Sequence, residues 1–116
     1  MGQPVVHWEI MAKDAEKAQE FYSKLFGWTI SVQQPMNYGL VKTGGQGGID
    51  GGIFAKEGVP PFVTFYVLVD DLGAALAKAE SLGGKTVMAP MPIPGTGAIA
   101  MFQDPDGLYI GLFKGE

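Results

Sequence analysis

"VVHWEIMAKDAEKA" (5–18) and "FVTFYVLVDDLGAA" (62–75) are the same sentence written twice. Both run as a β-rich apolar stretch, then an aspartate, then a helix-forming stretch. At a constant offset of 57 positions, Asp14 falls on Asp71, Gly27 on Gly84, Thr29 on Thr86 and Ile30 on Val87. Later, "GGIF" (51–54) matches "IGLF" (110–113) at an offset of 59, so the second copy holds about two extra residues. A repeat of this length is a supersecondary unit, and the fold follows from reading one copy.

In the first copy, residues 4–11 suit a strand. Asp14 is placed to cap a helix that carries Ala15, Ala18, Tyr22 and Leu25 inward, with Gly27 as its left-handed stop. Strands follow at 28–33, 38–43 and 49–54, parted by Pro35, Asn37 and the glycine-rich 44–48. The second copy repeats the plan. It has a strand at 62–69, a helix at 71–82 with Leu72, Leu76, Ala79 and Leu82 inward, and strands near 85–89, 98–103 and 108–113. "DPDG" (104–107) is a turn, and "PMPIPGTG" (90–97) reads as a mobile loop over a cavity. The expectation is a single domain over 1–116: module one at 4–56, a linker at 57–61, module two at 62–114. Neither half alone can bury both faces of its sheet. The fold class expected is therefore α+β, two tandem βαβββ modules forming a curved eight-stranded mixed sheet. The helices cover its convex side and an open cup remains.

Composition narrows the function. With 47% hydrophobic and 17% charged residues the chain is globular in type. It has no cysteine, which removes disulfides, thiolate metal sites and thiol nucleophiles. All eight basic residues are lysines, scattered from Lys13 to Lys114, and the net charge is -4. No nucleic-acid partner is expected from such a surface. Without arginine there is no bidentate grip for a phosphate or dicarboxylate. No apolar run is long enough to span a bilayer and no leader is evident, so the expectation is a cytoplasmic protein without a membrane partner.

The stretches "HWEIMAKDAEKAQEFYSKLFGW" (7–28), "VDDLGAALAKAESLGGK" (69–85) and "FQDPDGLYIGLF" (102–113) together resemble the vicinal oxygen chelate superfamily. That group contains glyoxalase I, extradiol dioxygenases and bleomycin- and fosfomycin-resistance proteins. The resemblance is strongest to short two-module, glyoxalase-related members. It implies a small molecule bound in the cup, lyase, isomerase or ring-cleaving chemistry where there is activity, and a homodimer. In metal-using members the ligands stand on the first strand of a module and on its last. Those positions carry over to His7, Thr64, Gly52 and Gly111, of which only His7 keeps a ligand side chain. One imidazole does not hold a divalent ion, for which three or four ligands are usual. No cofactor is expected. A divalent metal remains open only through His7 or an improvised His7, Glu9 and Asp50 set.

Strand alternation puts Val5, His7, Glu9 and Met11 on the cup face, and the repeat adds Thr64 and Tyr66. Steps of two along the last strands add Asp50, Phe54, Tyr109 and Phe113, and Met101 belongs to an adaptable methionine wall. His7 reads three ways: a neutral imidazole bonded to Thr64 or Glu9, a ligand contact or acid–base group, or a metal ligand. Glu9 reads as a general base or ligand acceptor, or as a structural partner of Tyr66. Asp50, among glycines, fits a turn as well as a site.

Three functions remain open at this point. The first is a binding or sequestration protein, whose ligand would perturb Trp8 or Trp28 fluorescence. The second is an enzyme with His7 and Glu9 as its catalytic pair. The third is an accessory dimer with a vestigial cup.

Overall fold

The computed structural model describes residues 2–116. Eight strands and two helices follow one another in the order expected: β1 (Val5–Ala12), α1 (Ala15–Phe26), β2 (Thr29–Gln33), β3 (Tyr38–Lys42), β4 (Gly51–Ala55), β5 (Phe62–Leu68), α2 (Leu72–Ser81), β6 (Lys85–Ile93), β7 (Gly97–Gln103) and β8 (Tyr109–Gly115). Parallel and antiparallel pairings both occur, so the fold is a mixed α+β one. The chain divides into two compact units, Val6–Thr64 and a second made of Phe65–Glu116 with residues 2–5.

In the first unit the strand order is β2-β3-β4-β1, with β1 and β4 parallel. Ile53 and Val41 are its fully buried side chains. In the second unit the order is β5-β8-β7-β6, with β5 and β8 parallel. Its core is Val69, Leu72, Leu76, Ala100 and Leu112, gathered under α2.

The repeat is visible in the helix starts. Asp14 and Asp71 are both N-caps with extended backbone, and their carboxylates accept from the backbone N–H groups of Lys17 and Ala74, 57 positions apart. The helix ends differ. Gly27 (φ 70°) closes α1 with one bond, its N–H donating to the Ser23 carbonyl at 2.9 Å. In α2 the left-handed residue is Gly83 (φ 101°), not Gly84, which is the repeat mate of Gly27. Gly83 donates to Glu80 at 3.1 Å and Gly84 to Ala79 at 2.8 Å, which is the two-bond Schellman arrangement.

Three expectations need correction. Leu25 is 57% exposed, because α1 turns the side of Gln19 and Tyr22 inward and Leu25 lies roughly 90° round the helix from it. Leu82 is 71% exposed, because α2 ends at Ser81 and Leu82 is already its C-cap. Residues 90–93 are strand and not a mobile loop: Met91, Pro92 and Ile93 pair with Ile99, Ala98 and Gly97. β6 ends its unit's strand order, where a proline's missing N–H interrupts no ladder on the outer side. Register shifts between Thr86 and Met91 take up the irregularity.

Candidate functional site

β1 and β4 set the first unit's site. They run parallel with Glu9 opposite Gly52 and Met11 opposite Phe54, so these residues share one face. β3 pairs antiparallel with β4, Leu40 against Gly52, which brings Tyr38 two residues away onto the same face. Alternation sends Trp8 to the other face. There it lies 5.1 Å from Trp28, and its indole N–H donates to the Ile49 carbonyl at 2.6 Å. Trp28 in turn stacks on Tyr22 of α1, ring centres 5.9 Å apart.

Tyr38 joins the two residues of interest. Its hydroxyl donates to Glu9 Oε2 at 2.7 Å, and His7 Nε2 lies 3.0 Å from the same oxygen. A phenol has one proton to give. With that proton on Glu9, the Tyr38 oxygen accepts from His7, which places the imidazole proton on Nε2. The chain therefore runs His7 Nε2–H to Tyr38 O–H to the Glu9 carboxylate. Glu9 is only 6% exposed, and its carboxyl group takes the Tyr38 hydrogen bond inside the protein, as a buried polar group requires. The Tyr38 ring also packs on Phe54, centres 4.9 Å apart at 44°.

His7 is half-buried, and its pKa is lowered from the ordinary 6.5, first by desolvation, with the Asp50 carboxylate pulling partly the other way. Between its folded-state pKa and 6.5 the unfolded chain carries a proton on His7 that the folded chain does not. Lowering the pH through that window therefore favours unfolding, and the loss levels off below the folded-state pKa. Denaturant titrations from pH 7.5 downward are expected to show stability falling below about pH 6.5. A His7→Gln variant should lack that component of the slope.

The other residues named from sequence divide between the two units. Asp50 serves its loop: Oδ1 accepts from the Thr43 N–H at 3.0 Å, and Oδ2 is 3.8 Å from Lys42 Nζ. Phe54 stands under Tyr38, and Thr64 is buried on β5. In the second unit Tyr66 is buried and pairs with Gly111, which also pairs with Met101. Phe113 is half-buried on β8, while Tyr109 at the start of that strand is exposed.

The donor set does not fit a divalent ion. Gly52 and Gly111 offer no side chain, and neither has space for one. A Cβ on Gly52 would overlap the hydroxyl and ring of Tyr38, and a Cβ on Gly111 would overlap the ring of Tyr66. Among the described residues, no group of three or more His, Cys, Asp or Glu side chains gathers as a metal site, His7, Glu9 and Asp50 included. Nor is any helix among them long and apolar enough to cross a membrane. Tyr38 is the residue that sequence reading missed. Its signal was a tyrosine at the head of β3, on the face of the strand that meets a glycine of β4.

Comparison with known proteins agrees with the fold. A family model described as glyoxalase/bleomycin resistance protein/dioxygenase superfamily matches residues 5–112. The chain is 27% identical to the anthracycline biosynthesis protein DnrV of Streptomyces peucetius, over 91% of this chain and 45% of that protein. It thus spans less than half the length of that relative. It is 34% identical to a glyoxylase-like domain-containing protein of Didymella fabae, over 85% of this chain and 84% of that one. A solved superfamily member from Vibrio splendidus 12B01 superposes with a TM-score of 0.69 at 16% identity, covering 99% of this chain and 100% of the other, a likeness of fold.

Proposed function

Because the chain belongs to the glyoxalase/bleomycin resistance protein/dioxygenase superfamily, we propose that it is a member that binds a small apolar or aromatic molecule without a full metal site. The ligand lies against the face of the first unit that carries His7, Glu9, Tyr38 and Phe54. One observation supports this above the others. A carboxyl group and an imidazole, both polar, are held in one hydrogen-bonded chain beside an aromatic wall. Fixed polar anchors on an apolar surface are what a small-molecule site needs.

Tryptophan emission is a poor reporter of such binding, since Trp8 turns away from His7 and packs at a tilt against Trp28. The ring signals of His7 are better, because the chain has one histidine. A panel of one- and two-ring aromatic compounds, each titrated to about 1 mM, is expected to contain at least one that shifts the His7 signals, with a free energy of roughly -4 kcal/mol or better. If every compound left His7 unmoved, the binding reading would fall.

The same chain of bonds favours a second reading, an enzyme that uses His7 and Glu9 as its acid–base pair. Any turnover found among bound compounds should then vanish in His7→Ala and in Glu9→Gln while circular dichroism shows both variants folded. Turnover that survived both would remove this reading and leave the first intact.

A further inference from the structure

Tyr38 does two things at once. Its ring and hydroxyl fill the space above Gly52, so a last-strand carboxylate has nowhere to go. Its proton goes to Glu9, so its oxygen accepts from His7. The second unit reaches the same end by a different route. There Tyr66, on the strand next to Gly111, lays its own ring over that glycine. In the repeat the mate of Tyr66 is Glu9, so the first unit spends that strand position on a carboxylate and brings its covering ring from β3 instead.

We infer that Tyr38 is the positioning residue of the first unit's site, standing where a metal-binding carboxylate would project and holding His7 with its proton on Nε2. Tyrosine rings thus seal both last-strand positions from which the metal-using members of this superfamily draw a ligand. An imidazole that donates through Nε2 to a neighbouring oxygen cannot also offer that nitrogen's lone pair to a cation. The site is organised by a hydrogen-bond chain and not by an ion. This goes beyond the binding reading and does not depend on it, because the arrangement exists before any ligand arrives.

The test uses 15N-labelled protein and long-range proton–nitrogen correlation of the single histidine, with Zn2+ as the metal probe. Wild type is expected to give the Nε2–H pattern, a ring proton protected from water, and no change on adding Zn2+. Tyr38→Phe keeps a ring over Gly52 but removes the hydroxyl. Its His7 proton should exchange at least tenfold faster and drop out of the spectrum, with Zn2+ still not bound. Pairing Tyr38→Ala with Gly52→Glu removes the ring and supplies a carboxylate beside His7 and Glu9, and this variant should take up Zn2+ with a shift of the His7 signals. A protein with the proton on Nδ1, a protected proton that persists in Tyr38→Phe, or stoichiometric Zn2+ in wild type lost with His7→Ala would each overturn the inference. A folded double variant that ignores Zn2+ would overturn its metal-excluding half. If Tyr38→Phe does not fold, the wild-type proton position and Zn2+ titration decide the matter alone. A failed ligand panel leaves all of these readouts unchanged, so the two proposals fail separately.

Discussion

Gly52→Ala is expected to cost the first unit about 3 kcal/mol, the upper part of the range for forcing an extra carbon into a packed interior. The added methyl would stand where the Tyr38 hydroxyl and ring now are. Tyr38 cannot swing aside freely, because its ring packs on Phe54 and its hydroxyl is bonded to Glu9 and His7. Moving it breaks a hydrogen bond to a buried carboxylate, which adds to the steric cost. Equilibrium unfolding in urea should show the loss as a lower midpoint at unchanged slope. The origin can be isolated by a double-mutant cycle. In a Tyr38→Ala background the same Gly52→Ala change should cost less than about 1 kcal/mol, since the ring it collides with is gone. Equal costs in the two backgrounds would show that the strain lies elsewhere on β4.

The second large effect is expected at Gln19, a buried polar residue in the middle of α1. Its amide nitrogen donates to the Ile53 carbonyl at 2.9 Å and to the Asn37 carbonyl at 3.0 Å. One side chain thus ties the helix to β4 and to the turn before β3. Gln19→Ala would leave both carbonyls short of a donor and open a void against Gly39, whose absent side chain makes room for the glutamine. The bond to Ile53 is buried and that to Asn37 partly so; an unmet buried group costs roughly 1–3 kcal/mol, and with the void a loss of about 3 kcal/mol is expected. Gln19→Met, of similar length, keeps the volume and removes the donors. If Met restored most of the stability, the void and not the two hydrogen bonds would be the cause.

The parts of this fold that were legible in sequence are those set by neighbours in the chain. The aspartate caps, the first helix's glycine stop and the "DPDG" turn depend on a few consecutive residues, and all stand where they were expected. The repeat carried that local information into a whole architecture. What was not legible depends on pairings between distant strands. Alternation identified the face of β1 that holds His7 and Glu9, but the partner that links them comes from β3, 29 and 31 residues along. Gly52 and Gly111 read as missing ligands, while the reason for glycine at both lies in a ring delivered from another strand. Leu25 and Gln19 show the same limit. Counting only apolar residues on α1 put the buried face in the wrong place, because the residue nearest its centre is a glutamine.

The paired indoles of Trp8 and Trp28 give the molecule an asymmetry that its duplicated plan conceals. Both belong to Val6–Thr64, and the Val69–Leu76–Leu112 core has no tryptophan within its own unit. Tryptophan emission therefore follows the melting of one repeat, whereas far-ultraviolet circular dichroism follows both. Superimposable curves from the two probes would mean that the copies unfold as one cooperative block. Separated curves would mean that each copy keeps a stability of its own.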